Sequence, residues 1–542
     1  MTIVHRRNEQ ILFFLFLMLF SLYAGIYIYQ SSFVIGGERY FCLFDDAMIS
    51  MRYARNFAQG HGLVMNPGER IEGFTNPLWT LLMAGVHRFP IPQAKTSLIV
   101  QIISAVALLI NLVFVRKIAL IISDNSHSAA WGSVILSAFY IPLITWSLQG
   151  MEVGLLTLMM SIVVWMSLTA ITRGKFPWGI YILLGLSTLV RIDMAVLFLG
   201  VLFFLAIIQR EYRGKHLILG GLVFIIFLGG QTLIRFLYYG DFLPNTYYLK
   251  MTGYPLLLRI TRGAVVAWQF LWHMNIFFAC VPIAVLIYRY NRTRGFLSLV
   301  VGIQIAYSIF VGGDAWESLK GSNRYISIVM PQLFILIVYG LSQIKTIIDK
   351  VISKQASSLS QPSLFIVRHH FLFLVVLAFL QMNNNTSPLN LRGLLFIEPP
   401  FYRDDNKSLV ERAIFLKGVT SPEAKVAVTW AGISPYFSER YTVDILGKTD
   451  RTIAHDPMRR ATGFKALTYF WPGHLKYNPR YSIDEKKPDV VIQLWGDIEE
   501  YEPFMIGKYS KIGVNDKTMF LRTDSQAILW DMFEKSPLTK GK

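Results

Sequence analysis

The stretch Phe44–Trp79, FDDAMISMRYARNFAQGHGLVMNPGERIEGFTNPLW, is a polar interval between apolar runs near 11–29 and 97–115. It opens on adjacent acids, carries Arg52 and Arg55 three residues apart, and is turned by Gly60, Gly62, Pro67, Gly68 and Gly73. A run of about 19 apolar residues can cross a hydrocarbon layer of roughly 30 Å as a helix, so the stretch reads as a loop at one membrane face. Further apolar runs lie near 129–148, 152–170, 177–190, 194–208, 217–236, 271–288, 295–311, 325–344 and 369–382, eleven in all. Composition agrees. The 542 residues are 54% hydrophobic and 16% charged, with a mean hydropathy of +0.44, against roughly 25% charged in a soluble domain. The chain is therefore read as an α-helical polytopic membrane protein with about 11 transmembrane helices.

The formal charge of +18 would suggest nucleic acid in a soluble protein, but here topology accounts for it. With the N-terminus in the cytoplasm, the inner connections carry Arg116, Lys117, Arg173, Lys175, Arg210, Arg213, Lys215, Arg289, Arg292 and Arg294, with few acids. This is the positive-inside pattern. It requires Pro77–Phe89 to lie along the outer surface instead of crossing. The first run follows His5, Arg6 and Arg7 without a small-residue cleavage site and reads as an uncleaved anchor. Cys42 and Cys280 are too few for a disulfide framework or a zinc cluster.

On this topology residues 1–382 form the membrane domain, loop 31–96 lies outside, and 383–542 form an extracytoplasmic α/β domain. KVAVTW (Lys425–Trp430) and PDVVIQL (Pro488–Leu494) read as its buried strands. The outer connections gather Asp45, Asp46, Glu152, Asp193, Asp241 and Asp314 together with Arg191, Arg235, Lys250 and Arg324. Both signs of charge at the outer ends of spans mark a polar site there, because such groups are costly near lipid unless used or paired. Asp45 and Asp46 open a helix, where carboxylates either cap free N–H groups or supply a general base at the membrane surface.

The string Asp45-Asp46-Ala47 through Arg52-Tyr53-Ala54, then Gly60-His61-Gly62, Asn66-Pro67-Gly68-Glu69 and Glu72-Gly73-Phe74-Thr75-Asn76-Pro77, resembles the first periplasmic loop of GT-C glycosyltransferases, in particular terminal arabinofuranosyltransferases and related bacterial enzymes. Gly150-Met151-Glu152, Arg191 with Asp193, Leu243-Pro244-Asn245-Thr246-Tyr247 with Lys250, Gly312-Gly313-Asp314 and Arg324-Tyr325 follow in the same order. The likeness extends over nearly the whole chain and departs from the pattern at Ile192 and Ala315.

The resemblance implies a GT-C-like membrane domain in a bacterial inner membrane. It implies transfer of a sugar, arabinofuranose by analogy, from a polyprenyl-phosphate donor to a hydroxyl of a cell-envelope glycan or glycolipid. Asp45 or Asp46 is then the base, Asp45 being preferred as first of the pair. Arg191, Arg235, Arg324 and Lys250 are the candidates for the donor phosphate. Glu152, Asp193, Asn245, Tyr247, Asp314 and His474 are those for sugar or acceptor. No cofactor is required; a divalent cation near the acids is left open, and nucleic acid is not expected. The competing reading is a transporter or flippase of a lipid-linked sugar, which favours charges at mid-membrane and a repeat of spans.

Overall fold

The computed structural model describes residues 3–353, 361–460, 465, 469–514 and 517–535. Residues 461–464, 466–468, 515–516 and 536–542 of the expected C-terminal domain thus lie outside the described residues. Each of the eleven apolar runs falls on helix. Among the described residues six helices are long and apolar enough to cross a membrane: Arg7–Ser31, Gln93–Ile122, Val153–Arg173, Arg210–Tyr239, Arg292–Val311 and Met330–Lys350. Two bent pairs bring this to eight if each is one span: His127–Ala138 with Ile141–Leu148, bent by 50°, and Leu256–His273 with Ile276–Tyr288, bent by 100°. The breaks have local causes. Pro142 sits in the first turn of the second helix of one pair, where a proline without N–H begins a helix instead of continuing one. In the other, the Asn275 side chain accepts from the Phe277 amide and starts a new helix. The remaining three runs are the shorter helices Gly179–Val190, Met194–Ile208 and His370–Met382.

Strands β1 (Phe33–Ile35) and β2 (Glu38–Tyr40) form a small hairpin after the first helix. The C-terminal part holds a five-stranded sheet of β3 (Lys425–Val428), β4 (Tyr441–Asp444), β5 (Val490–Val491), β6 (Tyr509–Val514) and β7 (Lys517–Arg522), in the order β4-β3-β5-β7-β6. β3 pairs in parallel with both neighbours and is buried after its first residue, as a strand covered on two faces must be. The β6–β7 hairpin was not anticipated. Its signal is the alternation that buries Met519 and Leu521 on one face of β7.

Three side chains tie the C-terminal sheet region to the membrane part. Asp45 opens the helix Asp45–Ala58 and accepts from the backbone amides of Gly432 (3.2 Å) and Ile433 (2.8 Å). Asn66 continues the edge of β4, its amide donating to the Thr442 carbonyl (3.0 Å) and accepting from the Thr442 N–H (2.9 Å). Asn245 donates to the carbonyls of Gly447, Lys448 and Asp450. These bonds satisfy backbone groups that burial would otherwise leave unpaired. At the first tie there is no space for a side chain, since a Cβ on Gly432 would strike the Asp45 carbonyl oxygen and approach the Ile49 amide nitrogen to 2.9 Å. Gly432→Ala is therefore expected to destabilise by about 1–3 kcal/mol, lowering the thermal midpoint in detergent and hastening proteolytic release of the C-terminal part.

Candidate functional site

The helix Asp45–Ala58 turns about 100° per residue, so its two opening acids face different surroundings. Asp45 is 2% exposed and its carboxylate is fully engaged with the Gly432 and Ile433 amides. Asp46 keeps 19% of its side chain exposed and lines a small cavity of about 70 Å³. Its Oδ1 accepts from Lys448 Nζ and its Oδ2 from Arg324 Nη1, both at 2.9 Å. Arg324 also grips Asp314 with Nε (2.6 Å) and Nη2 (2.7 Å), a bidentate pairing that fixes the guanidinium plane.

On the opposite wall Arg191 donates to both oxygens of Asp193, at 3.0 and 2.8 Å, and to Glu152 at 3.3 Å. Its guanidinium carbon lies 4.7 Å from the Tyr325 ring centre. Asn76 donates to the other Glu152 oxygen (3.0 Å) and accepts from Ser50 (2.8 Å) and Thr80 (3.1 Å). Four acids, Asp46, Asp314, Glu152 and Asp193, thus face Arg324, Lys448, Arg191 and Lys250, so the cluster is neutral in sum. Lys250 lies over the Asp46–Arg324 pair without a hydrogen bond or ion pair of its own among the described residues. It borders both this cavity and a second one of about 130 Å³, which shares Arg191, Thr246 and Tyr325 and continues along Leu243, Pro244, Met251 and Val311. A polar cavity therefore adjoins a more apolar one, with an unpaired ammonium in the wall they share.

The electrostatics follow from these contacts. Burial pushes the Asp45 carboxyl up to about 6, against the pull of Lys448 and the two amides. Burial acts on Asp46 in the same sense, but Lys448, Arg324 and Lys250 outweigh it and hold that carboxyl well below the usual range. Burial and the Arg324 charge lower the Lys250 ammonium to about 8.

Comparison with solved structures gives the architecture. Cupriavidus metallidurans ArnT bound to undecaprenyl phosphate matches with a TM-score of 0.55 at 12% identity, over 96% of this chain and 99% of that one. The apo Archaeoglobus fulgidus oligosaccharyltransferase matches with a TM-score of 0.54 at 11% identity, over 95% and 74%. The chain has the GT-C fold. A third structure with this fold, Archaeoglobus fulgidus AglB in complex with an inhibitory peptide and a dolichol-phosphate, matches with a TM-score of 0.52 at 10% identity, over 80% and 64%. Residues 401–529 match the family described as Domain of unknown function (DUF8728). No curated protein matches the chain by sequence.

Within this GT-C fold the residues singled out by sequence divide into two groups. Asp46, Glu152, Arg191, Lys250 and Arg324 line the polar cavity, Asp193 and Tyr247 line the apolar one, and Asp314 holds Arg324 from behind. The structure does not bring Asp45 there, because its carboxylate closes the contact with the C-terminal part. Nor does it bring Arg235, which pairs with Glu72 in the fold interior and lines neither cavity. The Asn245 amide is engaged by three carbonyls. His474 stacks on Trp471 with ring centres 4.9 Å apart, and burial drives its imidazole down to about 3, so it packs as a neutral ring. Lys448, which the sequence reading passed over, is the direct partner of Asp46. Its only sequence signal is a lysine next to Gly447 and two residues before Asp450 in the segment after β4.

The neighbouring acids also predict opposite linkage to pH. Asp45 binds its proton more tightly folded than unfolded, so its contribution to stability falls as pH rises from about 4 to about 6. Asp45→Asn, whose amide oxygen still accepts from Gly432 and Ile433, is expected to remove that decline when thermal midpoints of variant and wild type are compared from pH 4 to 7.

Proposed function

We propose that this chain is a membrane glycosyltransferase that moves a sugar from a polyprenyl-phosphate donor to a hydroxyl of a cell-envelope glycan or glycolipid, at a site on the exterior membrane face. The observation that carries this reading is the unpaired Lys250 ammonium in the wall shared by a charged cavity and a more apolar one. A donor with a bilayer tail, a phosphate and a sugar has the same sequence of surfaces. The tail lies along Leu243, Pro244 and Met251, the phosphate reaches Lys250 with Arg191 beside it, and the sugar enters the chamber of Asp46. The structural neighbours solved with undecaprenyl phosphate and dolichol-phosphate support such a carrier.

The chemistry follows from the contacts. The acceptor oxygen attacks the anomeric carbon, the bond from that carbon to the phosphate oxygen breaks, and the electron pair leaves on the phosphate. Lys250 and Arg191 oppose the charge that develops there, an electrostatic role of large effect in a site shielded from water. Asp46 takes the acceptor proton. Its low affinity for protons suits a late transfer: once the new bond forms, the acceptor oxygen is cationic and far more acidic than a free hydroxyl. The steps use this chain's own side chains, and both Asp46 oxygens accept from cations, which oppose a divalent ion at that carboxylate. The donor sugar is a pentofuranose on the resemblance alone, and the glycolipid that accumulates when the protein is removed identifies it.

Asp46→Asn is expected to lower transfer by about 10²–10⁴-fold at unchanged expression, whereas Asp45→Asn retains most activity; equal loss in both variants would refute the assignment. Because Lys250 loses its proton near pH 8, the donor KM should rise above that pH, and Lys250→Arg should abolish the rise. The exterior location is checked by placing a cysteine at Lys508, which must react with a membrane-impermeant thiol reagent in intact cells.

A further inference from the structure

A separate cavity of about 640 Å³ opens in the C-terminal part, well within the range of small-molecule sites. Its walls are the helix Arg403–Val419, the segment leaving β5, strand β7 and the short helix Glu502–Met505. Trp430, Tyr501 and Phe520 supply aromatic faces. Ile498 and Ile506, 59% and 74% exposed, stand at the lip.

The lining is mostly apolar, with a few polar groups that are incompletely satisfied. Arg412 is 6% exposed. Its Nε donates to the Ser408 carbonyl at 3.3 Å and its Nη1 makes a long contact of 3.5 Å with the Ile492 carbonyl, while Nη2 has no partner among the described residues. Among the described residues no carboxylate forms an ion pair with it, although buried arginines are normally paired. One helical turn away the buried Ser408 hydroxyl has no hydrogen-bond partner among the described residues. An alkyl chain would leave both groups unsatisfied at a cost, and the charged lining carries both signs, Asp405 and Glu502 with Lys511 and Lys517, so it favours a neutral polar ligand over an ion of either sign. A sugar ring has the complementary form. Its C–H faces are apolar and fit aromatic walls, and its rim of hydroxyls can accept from Arg412 and exchange hydrogen bonds with Ser408 and Gln493.

The cavity also adjoins the catalytic wall. The Trp430 ring centre lies 6.1 Å from that of Trp316, two residues beyond Asp314, and 5.5 Å from that of Tyr402. Two residues after Trp430, Gly432 donates to Asp45. We propose that this cavity binds a saccharide unit of the acceptor glycan remote from the hydroxyl that is glycosylated, so that the C-terminal part selects the acceptor. This deepens the transferase reading and rests on it.

The test uses the full chain in nanodiscs, with oligosaccharides released from the host's envelope glycan by mild acid as the probe. Gln493→Ala and Ile506→Glu change the cavity without touching the charged cluster. Saturation-transfer NMR should show the oligosaccharides bound to wild type and the signal weakened in both variants. In turnover, the variants should raise the KM for a long acceptor by about tenfold, the effect of one lost polar contact, with kcat and transfer to a monosaccharide glycoside unchanged. Equal binding by wild type and both variants, or none by wild type, overturns the inference. Wild type that binds oligosaccharide but never consumes polyprenyl-phosphate sugar overturns the transferase reading instead.

Discussion

Two backbone N–H groups, those of Gly432 and Ile433, end on the single carboxylate of Asp45, and much of the site's geometry depends on that contact. It holds the C-terminal part against the first turn of the helix Asp45–Ala58. Because successive residues on a helix diverge by about 100°, fixing Asp45 inward leaves its neighbour directed into the cavity. The same docking brings Lys448 to Asp46 from roughly 400 residues further along the chain. Neither part alone supplies a complete site, since the acid comes from one and a cation that holds it ionised comes from the other.

The charges are arranged so that one is left over locally while the sum stays neutral. Arg324 is taken by Asp314 and Asp46, and Arg191 by Asp193 and Glu152, in contacts that satisfy most of the fork of each guanidinium. Fixed guanidiniums of this kind shape a chamber and set its potential without needing to reorganise during reaction. Lys250, held near but not on the acids, is the cation free to meet a newly arrived anion. Its lowered proton affinity reflects burial beside Arg324, and an incoming phosphate would reverse it.

Much of this was legible in the sequence and some could not have been. Apolar runs located the helices because span length is a property of local composition. The acids and bases at the helix ends pointed to the residues that line the two cavities because lipid does not tolerate such groups unpaired. KVAVTW read correctly as a strand that becomes β3, whereas PDVVIQL contributes only the two residues of β5. Sequence could not tell which of Asp45 and Asp46 faces the cavity, because adjacency says nothing about helix rotation, which is set here by the Gly432 and Ile433 amides on Asp45. Arg235 was indistinguishable from Arg324 by type and setting, and only the fold shows that Glu72 neutralises it away from the cavities. Asn245 carries part of the most specific string in the resemblance, yet its amide shapes the loop that presents Lys448. A family signature can thus mark the residues that assemble a site as much as those that act in it.

In the proposed reaction the apolar cavity guides a lipid phosphate to Lys250, beside Asp46. This is tested most directly by determining the structure of the full chain in nanodiscs with undecaprenyl phosphate bound. The phosphate is expected within hydrogen-bonding distance of Lys250 Nζ, with the lipid chain passing Leu243 and Met251. A phosphate seated elsewhere, with Lys250 untouched and the Asp46 chamber sealed from the lipid, would contradict it.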